Sequence, residues 1–271
     1  MFKIYTLVFL IMISFAFGQN KSFIYELHFK PNPAKDSTAK ENFILDINGN
    51  RSMFRTVEDK KQDSTYYSGS NSTFMSTSFK DLLAVSKDLE KKETYKFIID
   101  FQKLFTIKVE DELDWKIEND IKEISGMKMQ KAMTTYGGRK WIAWFTNEIP
   151  LHEGPYIFHG LPGLITEVSD VENNFHFSLI QVKNSGGKMY EKGKSFMITW
   201  KQFEKLALDY YADPTREING KSNGNGMFMV KWQHENGNEF TPNFKEMNDV
   251  ERKAIRQNNN PIEVDHKILY K

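Results

Sequence analysis

The amino-acid sequence predicts a mainly β protein, built on an antiparallel sheet with one or two short helices. Apolar and polar residues alternate along several short segments, and turn signals separate these segments. Helical periodicity is confined to two places near the C-terminal end. Because short turns join neighbouring segments, the strands should pair antiparallel as an open barrel or a sandwich-like sheet.

The first predicted strand, residues 23–29, alternates as a half-buried strand does, with Phe23, Tyr25, Leu27 and Phe29 on one face. Residues 43–47 predict its return strand, and residues 95–109 predict one or two more. Residues 51–93 carry a weaker signal. Within them we expect an exposed loop over 59–67 and a capped helix over 78–88.

Two hairpins are predicted at the centre of the chain. Residues 129–136 and 139–146 are β-prone and flank Gly137-Gly138, a pair typical of a two-residue primed turn. Residues 164–169 and 175–182 flank a second turn at Asp170 to Asn174.

Two helices are predicted near the C-terminal end. Thr199 and Gln202 have the spacing of a capping box, and an apolar stripe follows at helical spacing before Pro214: Phe203, Leu206, Ala207, Tyr210 and Tyr211. A shorter helix should start at Asn248 and stop before Pro261. Between the two helices, residues 220–226 predict a loop and residues 227–232 a strand.

Residues 1–18 have the pattern of a signal peptide, with Lys3, an apolar run over 4–15 and a small-residue cleavage site before Gln19. We therefore expect a periplasmic or secreted protein whose residues 19–271 form a single β-rich domain, with a looser tail from about residue 240. The run is shorter than the roughly 20 apolar residues that span a bilayer, so no membrane span is predicted.

Composition excludes several classes of function. The chain has no cysteine, which excludes disulfides, thiol chemistry and a lipidated cysteine. Without the leader and its one lysine, 36 basic residues face 36 acidic ones. A nucleic-acid partner is not expected, because such binders usually carry a basic excess.

Residues Gly160-Leu161-Pro162-Gly163-Leu164-Ile165 predict a tight turn that leads into a buried strand. Proline suits the second turn position, and glycine at the third suggests a type II turn with a positive φ at Gly163. The favoured interpretation is a structural turn whose leucines fill the core. The alternative is a backbone lip beside a ligand groove.

The same six residues spell the name-giving motif of the GLPGLI family of exported Bacteroidetes proteins, which the sequence resembles. The resemblance implies export but no activity, since the family has no established function. Many members have a cysteine before the Lys131-Ala132 pair, where this chain has Met129 and Gln130. Other matching segments are Trp115-Lys116-Ile117, Gly138-Arg139, Ala143-Trp144-Phe145-Thr146, Ile149-Pro150, Gly154-Pro155-Tyr156, residues 167–170 and Asn260-Pro261-Ile262-Glu263.

A weaker fold-level resemblance links the second hairpin to lipoprotein-carrier proteins, which are open antiparallel sheets wrapped round a helix. This likeness concerns architecture, and a fold does not determine a function.

The sequence contains no catalytic motif: His152-Glu153 and His234-Glu235 each lack the second histidine of H-E-x-x-H. No cofactor is predicted. Met127, Met129 and Met133 share one strand face and offer soft thioether ligands, so they are a weak candidate metal site. Core packing is the favoured role for them.

Arg139, Trp141 and Trp144 crowd the first central hairpin. Strand alternation puts the two tryptophans on opposite faces, so one can be core and the other exposed for recognition. The favoured role of Arg139 is an ion pair with Asp170 or Glu167. The candidate contact residues are Arg139, Trp141, Trp144, Gly160, Leu161, Pro162, Gly163 and Leu164.

Three function classes follow from the sequence. The first is a non-catalytic binding or carrier protein for an apolar ligand, lipid or peptide, because the chain is aromatic-rich and has no assembled catalytic set. The second is an interaction partner of outer-membrane machinery, and the third a hydrolase-like envelope enzyme. A closed apolar pocket would favour the first class, a flat apolar patch the second, and a polar cleft with clustered titrating groups the third.

Overall fold

A computed structural model describes residues 21–67, 79–101, 103–110, 112–124, 126–184, 189–218 and 242–271. The predicted signal peptide, the loop over 220–226 and the strand over 227–232 lie outside these residues.

The described residues form twelve strands, three α-helices and one 3₁₀ turn. The strands are β1 (Lys21–Phe29), β2 (Ala39–Asn48), β3 (Arg51–Thr56), β4 (Phe79–Asp88), β5 (Glu93–Asp100), β6 (Lys103–Val109), β7 (Lys116–Ile124), β8 (Met127–Tyr136), β9 (Arg139–Thr146), β10 (Leu164–Asp170), β11 (Phe175–Asn184) and β12 (Phe196–Met197). The helices are α1 (Val57–Tyr67), α2 (Trp200–Ala212) and α3 (Phe244–Gln257), and the 3₁₀ turn is Val264–His266.

All twelve strands belong to one sheet, in the order β12-β6-β5-β4-β3-β2-β1-β11-β10-β9-β8-β7. Every neighbouring pair is antiparallel except β12 and β6. The prediction of a mainly β, antiparallel protein is confirmed, and the sheet is open. The described residues contain three α-helices instead of the predicted one or two, and no sequence pattern predicts α1.

One face of the sheet, which we call the core face, carries the main hydrophobic cluster. Phe23, Tyr25 and Leu27 of β1 are fully buried there, as their alternation predicts. The loop over 147–163, which we call the motif loop, packs on this face through Tyr156 and Phe158. Burial of these aromatic rings supplies a large part of the apolar area that stabilises the fold.

Both central hairpins are confirmed. β8 and β9 turn at Gly137 and Gly138, whose φ angles of +59° and +74° are those of a type I′ turn. β10 and β11 turn after Asp170, whose carboxylate accepts hydrogen bonds from the backbone N–H of Asn174 and Phe175 at 2.7 Å. This carboxylate holds the second turn closed.

Two predictions for residues 51–93 are wrong. Residues 59–67, expected as an exposed loop, belong to helix α1, where Asp63 accepts a hydrogen bond from Arg55 of β3 at 2.7 Å. Residues 79–88, expected as a helix, form β4 between β3 and β5. A bulge at Leu83, with φ of +49°, breaks the alternation of β4 and hides its strand period.

Helix α2 begins after the predicted capping box, with both reciprocal hydrogen bonds of Thr199 and Gln202 present. Phe203, Ala207 and Tyr210 are buried, and Phe203 and Ala207 pack on Ile98 and Ile107 at the far end of the sheet. Helix α2 therefore packs on the sheet through its predicted apolar stripe. Helix α3 starts at Phe244 instead of Asn248, because Asn243 caps it through the N–H of Glu246.

The last residues of the chain cross the core face. Ile262 is 1% exposed within the main cluster, and Ile268 packs beneath α2. The backbone N–H of Val264 donates to the carbonyl of Gly137 at 2.8 Å. Within the tail that the sequence predicts from about residue 240, the side chains of Ile262 and Ile268 complete both hydrophobic clusters.

Candidate functional site

The six-residue motif joins the motif loop to β10. Leu161 is 1% exposed, and Leu164 and Ile165 are fully buried. Tyr25 of β1 donates its hydroxyl to the carbonyl of Ile165 at 2.7 Å, which fixes the start of β10 beneath the loop. The leucines therefore have the core role that the sequence favoured, while Pro162 is exposed.

The two glycines of the motif have different roles from those predicted. Gly163 does not have a positive φ, so the type II turn expected there is wrong. A Cβ at Gly163 would lie 2.1 Å from the carbonyl oxygen of Thr146, so this glycine lets two backbones approach closely. The positive φ, +92°, belongs to Gly160, and a Cβ there would meet nothing within 4 Å.

Arg139 has a structural role, because its guanidinium joins three segments of the chain. It is 7% exposed and lies 3.1 Å from a carboxylate oxygen of Asp170, one of the two partners that the sequence proposed. The same guanidinium donates to the carbonyls of Ile262 at 3.0 Å and Pro261 at 2.8 Å, and to the Asn260 side chain at 2.7 Å. Arg139 therefore joins the two central hairpins to the C-terminal segment.

The two tryptophans lie on opposite faces, as alternation requires. Trp141 is fully buried against Phe158, and its indole N–H donates to the carbonyl of Tyr136 at 3.0 Å. Trp144 is half-buried on the other face of the sheet, with Lys122 4.3 Å above its ring. Trp141 is unavailable for contact with a ligand, and Trp144 does not share a surface with the motif.

The three methionines of β8 lie on the face opposite the core face. Met129 is 5% exposed, and its sulfur accepts a hydrogen bond from Thr166 at 3.2 Å. No group of three or more histidine, aspartate or glutamate side chains placed to hold a metal occurs in the described part of the chain. The methionine metal site stays a prediction.

A cleft of about 870 Å³ opens beside the motif, and Gly160 forms part of its wall. This Gly160 cleft lies between the motif loop, the β4–β5 turn and the end of β6 with the segment that follows. Its volume is within the range of ligand sites in proteins. Its lining residues are Asn50, Asp88, Leu89, Glu90, Lys92, Glu93, Thr94, Lys108, Val109, Glu110, Glu112, Leu113, Trp115, His152, His159 and Gly160.

Hydrogen bonds to backbone carbonyls fix the aromatic side chains of the cleft. Trp115 donates its indole N–H to the carbonyl of His159 at 2.8 Å. The Nδ1 of His152 and of His159 lie 2.8 and 2.7 Å from the carbonyls of Leu161 and Ile157. Burial, and then the charge of Lys87, lower the pKa of His159 below its ordinary value. His159 is therefore uncharged at neutral pH.

Buried lysines hold the motif loop on the sheet. Lys87 of β4 donates to the carbonyl of Gly154 at 2.9 Å and lies 2.6 Å from a carboxylate oxygen of Glu153. Lys96 of β5 donates to the hydroxyl of Tyr156 in the same loop and to Glu263 of the C-terminal segment. The cleft wall is thus anchored, which suits a preformed binding site.

Sequence reasoning missed these anchors and the two histidines. The sequence does carry a signal for Lys96. It lies two residues before Ile98 of the apolar run Phe97-Ile98-Ile99, so strand alternation puts both side chains on the same buried face. Trp115, Tyr156 and Glu263 were among the residues that carry the family resemblance. The structure brings Tyr156 and Glu263 into direct contact.

Residues 51–167 match a family model described as "Protein of unknown function (Porph_ging)". The match covers less than half of the chain and includes the motif, the cleft lining except Asn50, and the first central hairpin. No curated protein matches the sequence.

Two crystal forms of a protein called PNGF-II have a similar fold. Each superposes with a TM-score of 0.50, at 13% and 14% sequence identity, and covers 70% and 69% of this chain. The chain spans about a third of the length of these structures, 33% in each case. At this identity the likeness shows the fold alone.

A LolA superfamily protein from Nitrosomonas europaea superposes with a TM-score of 0.28 at 7% identity, covering 65% of this chain and 91% of its own. A score this low does not establish a shared fold. Among the helices that the structure describes, none combines the length and apolar character that a membrane crossing needs.

Proposed function

We propose that the protein is an exported, non-catalytic binding protein of the GLPGLI kind, and that residues 19–271 form its one binding domain. The Gly160 cleft is the proposed ligand site. One observation carries the proposal: the motif that marks the sequence leaves Gly160 open at the wall of an anchored cleft of about 870 Å³.

The lining of the cleft narrows the choice among apolar ligand, lipid and peptide. Leu89, Val109, Leu113 and Trp115 supply apolar surface, and the other lining side chains are mostly polar or charged. A closed apolar pocket would suit a lipid, whereas an open cleft of mixed lining suits a peptide, which offers both kinds of group. We therefore favour a peptide ligand over an apolar carrier cargo.

The enzyme class lacks comparable support. His152 and His159 line the cleft, but both use Nδ1 on loop carbonyls, and no nucleophilic side chain hydrogen-bonded to either ring is present among the described residues. The predicted contact by Trp144 stays a separate prediction, because its side chain lies on the other face of the sheet.

Native mass spectrometry of protein purified from its own periplasm tests the proposal, because a bound ligand appears as added mass. Gly160→Phe should place an aromatic ring in the cleft and so weaken or remove the adduct. Gly126→Phe is the matched control, since Gly126 also has a positive φ, +79°, and open space at its Cα, but lies in the β7–β8 turn. A wild-type protein without an adduct, or an adduct kept in Gly160→Phe, contradicts the proposal.

A further inference from the structure

Acidic side chains outnumber basic ones in the lining of the Gly160 cleft. Five carboxylates line it, Asp88, Glu90, Glu93, Glu110 and Glu112, against two lysines, Lys92 and Lys108. His159 does not balance them at neutral pH, because burial and then the charge of Lys87 lower its pKa. The cleft is therefore acidic in a chain whose overall charge is close to zero.

Ion pairs within the protein account for two of the five carboxylates. Asp88 lies 3.7 Å from Lys91, and Glu93 lies 3.9 Å from Lys108. In the described part of the chain, no lysine or arginine lies within ion-pair distance of Glu90, Glu110 or Glu112. These three carboxylates, which we call the free carboxylates, have no ion pair there, and the Asn50 side-chain amide donates to Glu90 at 3.4 Å. Lys92 is the one cation of the lining that has no ion-pair partner in the described part of the chain.

The apolar part of the lining lies next to these free carboxylates in the chain. Leu89 precedes Glu90, Val109 precedes Glu110, and Leu113 follows Glu112. Trp115, fixed by its hydrogen bond to His159, adds an aromatic surface on which a cation or an aliphatic stem can pack. Lysine and arginine side chains offer this combination of an apolar stem and a charged head.

From this complementarity, and resting on the proposed function, we infer that the Gly160 cleft binds a polypeptide segment that carries lysine or arginine side chains beside apolar ones. The free carboxylates pair with the cationic heads, and the leucine, valine and tryptophan side chains cover the stems. The acidic rim also raises the association rate with a basic segment at low ionic strength.

Fluorescence anisotropy with synthetic peptides tests the inference. The probe is a fluorescein-labelled decapeptide of alternating lysine and leucine, and the comparison peptide has glutamate in place of every lysine. The lysine peptide should bind at least about tenfold more tightly than the glutamate peptide, and its binding should weaken as salt screens the charges. Equal affinity for both peptides, or no binding of the lysine peptide, overturns the inference.

Variants locate the interaction. The double variant E110Q/E112Q should weaken binding of the lysine peptide about tenfold, since it removes two of the three free charges. Glu58→Gln is the matched control, because Glu58 is exposed on α1 and paired with Lys61 outside the cleft. Equal binding by E110Q/E112Q and wild type places the peptide elsewhere and overturns the inference.

Two further measurements separate the alternatives. In the first, spermidine competes with the labelled lysine peptide for the protein. If spermidine displaces this peptide at the same concentration as unlabelled peptide does, the site binds small polyamines, and the polypeptide assignment is overturned. The Gly160→Phe adduct measurement decides independently whether the cleft binds anything. If that variant loses the adduct and the lysine peptide does not bind, the cleft is a binding site whose ligand is not basic. The proposed binding function then stands, and the inference of a basic polypeptide ligand is overturned.

Discussion

Lys96 Nζ lies 3.0 Å from Glu263 Oε2, an ion pair between β5 and the C-terminal segment in which both side chains are buried. The hydroxyls of Tyr136 and Tyr156 donate to the other carboxylate oxygen. Burial alone would raise the pKa of Glu263, but Lys96 and the tyrosine hydroxyls outweigh burial and lower it. The motif loop, the first central hairpin and the C-terminal segment therefore meet at one carboxylate.

Glu263→Gln should lower the free energy of unfolding by about 3 kcal/mol, the lower end for a broken buried pair, because Lys96 loses one carboxylate partner and keeps Asp81 at 2.6 Å. Urea unfolding followed by tryptophan fluorescence measures this change. Glu58→Gln is the control: the Glu58–Lys61 pair is 66% and 70% exposed, so its loss should change stability by less than about 1 kcal/mol. Equal effects of both substitutions would contradict a structural role for Glu263.

Gly163→Ala should destabilise the protein more than Gly160→Ala does. The new methyl group at Gly163 would meet the Thr146 carbonyl at 2.1 Å, so the motif must separate from β9. We expect about 3 kcal/mol or more for this displacement. At Gly160 only the backbone strain of a positive φ applies, about 1–2 kcal/mol. Chemical denaturation measures both changes. A larger loss of stability in Gly160→Ala than in Gly163→Ala would contradict the close approach of Gly163 to Thr146 and would favour the type II turn predicted from the sequence.

Trp141→Ala should destabilise by about 3–5 kcal/mol, as large-to-small substitutions of buried aromatic residues do. Trp144→Ala should cost about 1 kcal/mol, since Trp144 is half-buried and loses mainly its contact with Lys122. Thermal unfolding measures both changes. The periplasmic adduct should persist in Trp144→Ala, and its loss at an unchanged melting temperature would move the contact surface to the outer face of the sheet.

Strand period and turn chemistry made most of the sheet predictable from sequence. Residues adjacent in the sequence determine both the hairpin at Gly137-Gly138 and the helix after Thr199, so both can be predicted without tertiary contacts. Residues 79–88 were misassigned because the bulge at Leu83 breaks their alternation and because pairing on both sides overrides local preference. Local patterns identify elements only where the element itself is regular.

The candidate site was less predictable, because its parts come from distant segments. Gly160 was identified through the motif, but Glu110 and Glu112 carry no local signal that distinguishes them from other exposed carboxylates. His152 and His159 are separated by a buried stretch of the motif loop, and only the loop conformation brings both to one cleft. Trp141 and Trp144 were placed correctly on opposite faces, since alternation alone decides that.

Glu167 provides a test at acidic pH, on the face of the sheet that carries Trp144. Hydrogen bonds from His176 at 2.7 Å and from Lys122 lower the pKa of Glu167 to about 2. In the unfolded chain a glutamate titrates near 4.3. The folded state therefore gains stability from ionised Glu167 above about pH 4.3, and loses that gain as the pH falls toward 2.

Glu167→Gln should consequently be less stable than wild type near neutral pH, by about 1 kcal/mol for a partly exposed pair, and the difference should shrink as the pH falls from about 4.3 toward 2. Urea unfolding at several pH values between 2 and 7 measures the two stability curves. Glu123→Gln, an exposed position in β7, is the control and should follow the wild-type curve throughout. A difference between Glu167→Gln and wild type that stays constant down to pH 2 would show that the substitution acts through packing, because an electrostatic contribution must disappear when Glu167 is protonated in both states.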